Sequence, residues 1–231
     1  QSWSSKTLYS DTYYTANPIA KRFIDKFSLT EDELQELSQI CKKVEIDFLS
    51  TPYSNDEATF LVKNCQSNAI KIASMEINNL PFLTYLAQTG SSIILSTGMA
   101  DIEEIRTAVK VFADKGNNNL CILHCVSQYP TALNEINVMN VKMLSDEFPN
   151  KLIGFSDHTV EPFAAQASVA LGARIIERHF TLDKSRIGMD NQMASEPNEF
   201  KNLIEGCLST YSALGTYERL VTEKEFYQRK N

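Results

Sequence analysis

The stretch LIGFSDHTVEPFAAQASVALGARIIERHF, residues 152–180, decides the fold. It opens with a short apolar run, LIGFSDH (152–158), and closes with another, RIIERHF (174–180). Between them EPFAAQASVALGA (161–173) reads as a helix. Two strands joined through a helix form a parallel crossover unit, because parallel neighbours need a connection of a dozen or more residues.

The same rhythm extends upstream. Four more strand-like runs are IDFLST (46–51), AIKIAS (69–74), SIILSTG (92–98) and LCILHCV (120–126). Helical patterns separate the six: NDEATFLVKNC (55–65), NNLPFLTYLAQ (78–88), DIEEIRTAVKVFADKG (101–116) and NVMNVKMLSDEF (137–148). In the third of these, Ile102, Ile105, Val109 and Phe112 recur at helical spacing, and Gly116 suits a C-cap. NEFKNLIEGCLSTYSAL (198–214) adds a closing helix, and TEDELQELSQICKK (30–43) an opening one, with Thr30 and Glu33 as a capping box. Strands alternating with helices imply an α/β parallel sheet. A closed barrel needs eight strands. Either the sheet is open, or the chain is cut inside a strand near Gln1. Residues 1–30 are expected to be a long loop, residues 46–215 the core repeats, and the whole a single domain.

Composition narrows the partners. Of 231 residues 43% are hydrophobic, enough for one sizeable core, and the net charge is −7 with no basic cluster. Nucleic acid and anionic membrane surfaces are excluded as expected partners, since both need clustered positive charge. No apolar run reaches the roughly 18 residues of a membrane span. The chain opens on Gln1 rather than Met, so a natural N-terminus is expected upstream. Five cysteines, an odd number with no CxxC pair, read as reduced thiols of a cytoplasmic protein.

Nearly every strand run ends in a hydroxyl or titratable side chain. They are Ser50 and Thr51, Ser74 and Glu76, Ser96 and Thr97, Ser127 and Tyr129, Ser156 and His158, and His179. In α/β barrels these ends converge on the active site. Taken alone, any one hydroxyl would be a helix N-cap; the repetition points instead to phosphate binding. Lys71, the one lysine within a strand run, would serve that anion, unless it faces outward or pairs with Glu76. His158 and His179 close consecutive strands 21 residues apart, and alternation puts Ser156 with His158, and Glu177 with His179, on one face each. Two neutral imidazoles near an acid can hold a divalent metal, with Asp190 a candidate third contact. The alternative is a pair of core histidines; His124, mid-strand, is expected to be structural.

The segments FLSTPYS (48–54), KIASMEINNLPFLTYLA (71–87), IILSTGMADIEEI (93–105), LHCVSQYPT (123–131), IGFSDHT (153–159) and ALGARIIERHFTLDKSRIGMD (170–190) together resemble the N-acetylneuraminate (sialic acid) synthase family, which includes the legionaminate and pseudaminate synthases. The resemblance implies a TIM (β/α)₈ barrel, here missing strand 1 and most of strand 2, and followed in the family by an antifreeze-like domain that this chain lacks. It implies condensation of phosphoenolpyruvate with a 2-acetamido sugar such as N-acetylmannosamine, aided by Mn²⁺ or Mg²⁺, in a homodimer. By motif match, Thr51, Lys71, Ser74, Ser96, Ser127 and Ser156 would hold the phosphate and carboxylate. His158 and His179 would ligate the metal and act in catalysis with Glu76. Glu76, Tyr129 and Asp190 would contact the sugar, and Gln1 matches the glutamine closing the family's second strand. Where many members read PGPDH or PGWDH, this chain reads IGMDNQMAS, so Met189 and Asn191 alter the sugar loop. Two other readings accommodate the same residues: a related phosphoenolpyruvate-dependent synthase acting on a sugar phosphate, and a non-catalytic anion-binding barrel. The first would need a basic site beyond Lys71, Arg178, Lys184 and Arg186.

Overall fold

The computed structural model describes residues 22, 25–186, 188 and 190–229. Gln1, Met189 and most of the 1–30 stretch therefore lie outside the described residues; within that stretch, residues 25–27 are helical.

Helices and strands form where local chemistry asks for them. Helix α1 (Glu31–Lys43) starts at Thr30, whose hydroxyl accepts from the Glu33 amide while the Glu33 carboxylate accepts from the Thr30 amide. These reciprocal bonds satisfy two of the donors that every helix start leaves open. Helix α2 (Asn55–Lys63) precedes β1 (Ala69–Ile72), and α3 (Leu80–Gln88) leads to β2 (Ser92–Ser96). Helix α4 (Ile102–Asp114), capped by Asp101 and Glu104, buries Ile105, Ala108, Val109 and Phe112 on one stripe. Then come β3 (Leu120–Cys125), α5 (Asn140–Glu147), β4 (Leu152–Asp157), α6 (Phe163–Ala170) and β5 (Ile175–Arg178). Helices α7 (Pro197–Ala213) and α8 (Glu223–Arg229) follow.

The five strands pair in parallel in the order β1-β2-β3-β4-β5, so every neighbour in space is a neighbour in sequence. Alternation divides each strand. Ile70, Ile72, Ile93, Leu95, Ile122 and Phe155 face the helices and share one core with Leu83, Leu86, Phe112 and Leu144. Lys71, Ser96, Cys125, Ser156 and Glu177 take the opposite, concave face. Gly154 is needed there, because a Cβ would stand 2.4 Å from Leu123 Cδ2 and 2.5 Å from the Ile175 carbonyl.

One strand expectation is corrected. IDFLST (46–51) carries no regular secondary structure and is not a strand. Its link to the sheet is a 3.2 Å bond from the Lys71 amide to the Ser50 carbonyl. Its apolar character serves a different purpose: Phe48 packs against a second small core of Leu34, Leu61 and Cys65 under α1 and α2. The described residues thus form a five-stranded half-barrel, and not six strands.

Candidate active site at the strand ends

The concave face gathers most of the hydroxyls that the sequence placed at strand ends. Lys71 Nζ, with its side chain largely buried, lies 3.4 Å from Glu177 Oε2 and 3.3 Å from the Ile72 carbonyl. The other Glu177 oxygen accepts a 2.7 Å bond from Ser156 Oγ. Ser74 and Ser127, far apart in sequence, bring their hydroxyls to 3.3 Å. Gly98, at φ +48°, makes this approach possible: a Cβ there would stand 2.3 Å from Ser74 Cβ and 2.8 Å from Ser127 Oγ. Ser96 Oγ is buried without a hydrogen-bond partner. The Cys125 thiol is close enough to feel it, but not in hydrogen-bond geometry. A buried orphan hydroxyl costs free energy unless something completes it.

Burial pushes the Cys125 thiol upward, against the opposing pull of the Gly98 amide and Lys71, so it stays protonated at neutral pH. It is a wall of the site and not a nucleophile.

The two histidines stand above this cradle. His158 Nδ1 lies 2.7 Å from the Val126 carbonyl. A carbonyl can only accept, so Nδ1 carries the hydrogen and Nε2 keeps its lone pair. Nε2 lies 3.3 Å from Ser156 Oγ, on the concave side. Burial holds the His158 pKa below its ordinary value; the Val126 bond opposes this and His179 adds to it. The ring of His179 is 5.3 Å away, edge-on, and its Nδ1 is 3.6 Å from Asp190 Oδ2. Tyr129 lies against both rings, at 4.3 Å from His158 and 5.8 Å from His179. Burial raises the Tyr129 phenol, with the Asp190 and Glu177 charges adding to it. Among the described residues no group of three or more His, Cys, Asp or Glu side chains is placed to hold a metal ion. The two imidazoles are by donor type suited to a divalent ion whose other positions go to water or substrate, and Asp190 stands beside one of them.

The remaining candidates divide. Glu76, in a single turn of 3₁₀ helix (Ser74–Glu76), accepts from Asn79 at 2.7 Å. It does not pair with Lys71; the acid that faces the lysine is Glu177. Thr51 follows Ser50, whose carbonyl bonds β1, and so stands at that edge of the sheet. Gln1 is outside the described residues. His124 faces the helices, 2.8 Å from the Ile136 carbonyl and stacked on Phe155. Sequence reasoning missed Glu177 as a site residue, although alternation with His179 already placed it on the concave face. It also missed the Val126 carbonyl, which no side-chain pattern reveals.

The cations that a second phosphate would need are engaged. Lys71 faces Glu177, Arg178 faces Asp157, Lys184 is 2.6 Å from Glu199, and Arg186 is 3.8 Å from Asp183. Beside the histidines, a cavity of about 740 Å³ lies between Lys26–Leu29 on one wall and His179, Asp190 and Asn191 on the other. That is a size suited to a small-molecule ligand. No helix among the described residues is long and apolar enough to cross a membrane.

Comparison with known proteins places the chain in a family. A sequence profile described as the NeuB family matches residues 1–219. The N,N'-diacetyllegionaminic acid synthase of Campylobacter jejuni is 40% identical over 87% of this chain and 60% of its own. The N-acetylneuraminate-9-phosphate synthase of Drosophila melanogaster is 36% identical over 75% of this chain and 46% of its own. The chain thus spans about half the length of these curated relatives. A crystal structure of N-acetylneuraminic acid (sialic acid) synthetase from Leptospira borgpetersenii, in complex with citrate, superposes with a TM-score of 0.87 at 30% identity. It covers 95% of this chain and 76% of that one.

Proposed function

The chain belongs to the NeuB family, and on that premise we propose that it condenses phosphoenolpyruvate with a 2-acetamido sugar to give a nonulosonic (sialic-type) acid and phosphate. The observation that carries this reading is the cradle of Lys71, Ser74, Ser96, Ser127 and Ser156 beneath the His158–His179 pair, with one buried hydroxyl lacking a partner. A multiply charged anion would complete that hydroxyl and face the lysine.

In this reading Lys71, Thr51, Ser74, Ser96, Ser127 and Ser156 grip the phosphate and carboxylate of phosphoenolpyruvate. Carbon 3 of phosphoenolpyruvate attacks the sugar's aldehyde carbon, water adds at carbon 2, and the resulting tetrahedral species expels phosphate. His158 and His179 would hold a divalent ion, Mn²⁺ or Mg²⁺, which supplies Lewis-acid polarisation of the aldehyde oxygen. Tyr129 and Asp190 orient the acceptor, Glu76 steers protons at the acceptor's hydroxyls, and Gln1 belongs to the substrate-binding set. Holding both reactants in line can lower the barrier by about 7–11 kcal/mol. A TIM (β/α)₈ barrel of which this chain carries an incomplete part, a homodimer of the full-length protein and a cytoplasmic setting, the last suited to five free cysteines, belong to the same proposal.

The test is phosphate release from phosphoenolpyruvate with Mn²⁺ and a panel of 2-acetamido sugars. Release with one sugar supports the reading and identifies the acceptor. His158→Ala and His179→Ala should each abolish metal-dependent release while the protein still melts cooperatively. Full activity in both variants removes the metal role; no release with any sugar from protein that binds Mn²⁺ overturns the reaction.

A further inference from the structure

Resting on the metal-site reading above, we propose that Arg178 is a positioning residue for the histidine pair, a guanidinium fork that ties the loop leaving β4 to the loop that follows β5. Arg178 points away from the concave face, alternating with Glu177 and His179, and its side chain is 3% exposed. Each arm of the fork reaches a different segment. Nη1 lies 2.9 Å from Asp157 Oδ2, on the residue before His158. Nη2 donates at 2.8 Å to the Val160 carbonyl, two residues after His158, and at 3.5 Å to the Met193 carbonyl. Nε donates at 2.9 Å to Ser195 Oγ.

Those anchors connect directly to the histidine backbones. Ser195 donates its amide to the His179 carbonyl at 2.8 Å, and its own carbonyl accepts from Thr181 at 3.0 Å. Asp157 is fully buried, and its other oxygen accepts both the amide and the hydroxyl of Thr159, at 2.9 and 2.8 Å. Asp157 Oδ2 and Arg178 Nη1 approach without hydrogen-bond alignment, so charge and not a directed bond joins them. The segments on both sides of His158, and the segment bonded to His179, therefore share one planar cation. A lysine could keep the charge but not the three directions.

This arrangement resembles the outer contacts that orient metal ligands, whose loss typically costs 10–100-fold in metal affinity. The pair is register-matched across β4 and β5, which gives it a structural role as well. The test must separate the two roles.

Arg178→Lys and Ser195→Ala are compared with the parent chain and with Leu203→Ala, a core truncation on α7 away from the site. Three quantities are read: Mn²⁺ affinity by titration of the free-ion electron resonance signal, amide hydrogen exchange at Ala194 and Ser195, and the melting temperature. Arg178→Lys should weaken Mn²⁺ binding about 10-fold or more and speed exchange at both amides. Ser195→Ala should shift both in the same direction by less. Leu203→Ala should lower the melting temperature and leave Mn²⁺ affinity unchanged. Parental Mn²⁺ affinity in Arg178→Lys, or an equal loss in Leu203→Ala, overturns the proposal. If Arg178→Lys does not fold, parental affinity and exchange in Ser195→Ala overturn it instead. A parent chain that binds no Mn²⁺ would sink the metal reading alone. The tie between the loops is then judged by exchange, and unchanged exchange in Arg178→Lys rejects it.

Discussion

Lys71 and Glu177 lie 3.4 Å apart although they belong to β1 and β5, the two edges of the sheet. Four inter-strand gaps of about 4.8 Å would hold the edges of a flat sheet roughly 19 Å apart. The contact is possible only because the sheet curls into a half-barrel and both side chains point into its hollow. The curl places a cation and a carboxylate at the mouth together, with Ser156 bonded to the same acid.

That contact sets the first expectation. Glu177 is about one-third exposed, so the pair contributes no more than about 1 kcal/mol to stability. Lys71→Met should shift the melting temperature little. It should weaken phosphoenolpyruvate binding by roughly 10-fold or more, the loss of one charge-assisted hydrogen bond. Calorimetric titration with phosphoenolpyruvate reads the effect, and parental affinity in the variant would remove Lys71 from the anion site.

Ser96 makes an unusual prediction in sign. Its buried hydroxyl has no partner in the ligand-free protein, a condition that costs about 1–3 kcal/mol. Ser96→Ala should therefore leave the free protein equally or more stable, while phosphoenolpyruvate stabilises it less than it stabilises the parent. Thermal melts with and without phosphoenolpyruvate decide this. A destabilised free variant would mean that the hydroxyl is satisfied in solution.

Gly98 and Gly154 should differ in what they disturb. At Gly98 an added methyl meets the Ser74 and Ser127 side chains and a left-handed backbone. Gly98→Ala should cost about 1–3 kcal/mol and disrupt anion binding. At Gly154 the methyl meets the Ile175 carbonyl and Leu123, so β4 and the β5 backbone must move apart locally. Gly154→Ala should destabilise more, by urea unfolding; the reverse order would contradict the packing described.

The third histidine gives a pH dependence. Burial lowers the His124 pKa in the folded state, against its bond to Ile136, whereas the unfolded chain titrates near the ordinary value of about 6.5. Between those values the unfolded state binds more protons, so acid favours unfolding. Stability is full above about pH 6.5 and is lost as pH falls toward the folded-state value. His158 is depressed mainly by the same cause and contributes in the same direction. His124→Asn should therefore remove part, not all, of the fall in melting temperature between about pH 7 and 5.5. An unchanged slope would show that His124 does not titrate in that window.

Much of this was legible along the chain. The Thr30–Glu33 capping box forms, and the five runs from residue 69 onward became the five strands. The run at 46–51 misled because apolar sequence serves a strand and a packed edge alike; Phe48 found its partners in a second core. The 3₁₀ turn at Ser74–Glu76 and helix α8 carried no periodic signal long enough to read.

What the sequence by itself determined was the parallel βα alternation and the set of side chains delivered to one rim. Both follow from local rules: the period of two along a strand, and the crossover that a parallel pair requires. Tertiary structure alone decided that Lys71 faces Glu177 and not Glu76, that the Val126 carbonyl sets the His158 tautomer, and that Arg178 joins the loops beside both histidines. Those pairings depend on the curl of the sheet and on backbone groups brought close from distant segments, and no spacing between letters encodes either.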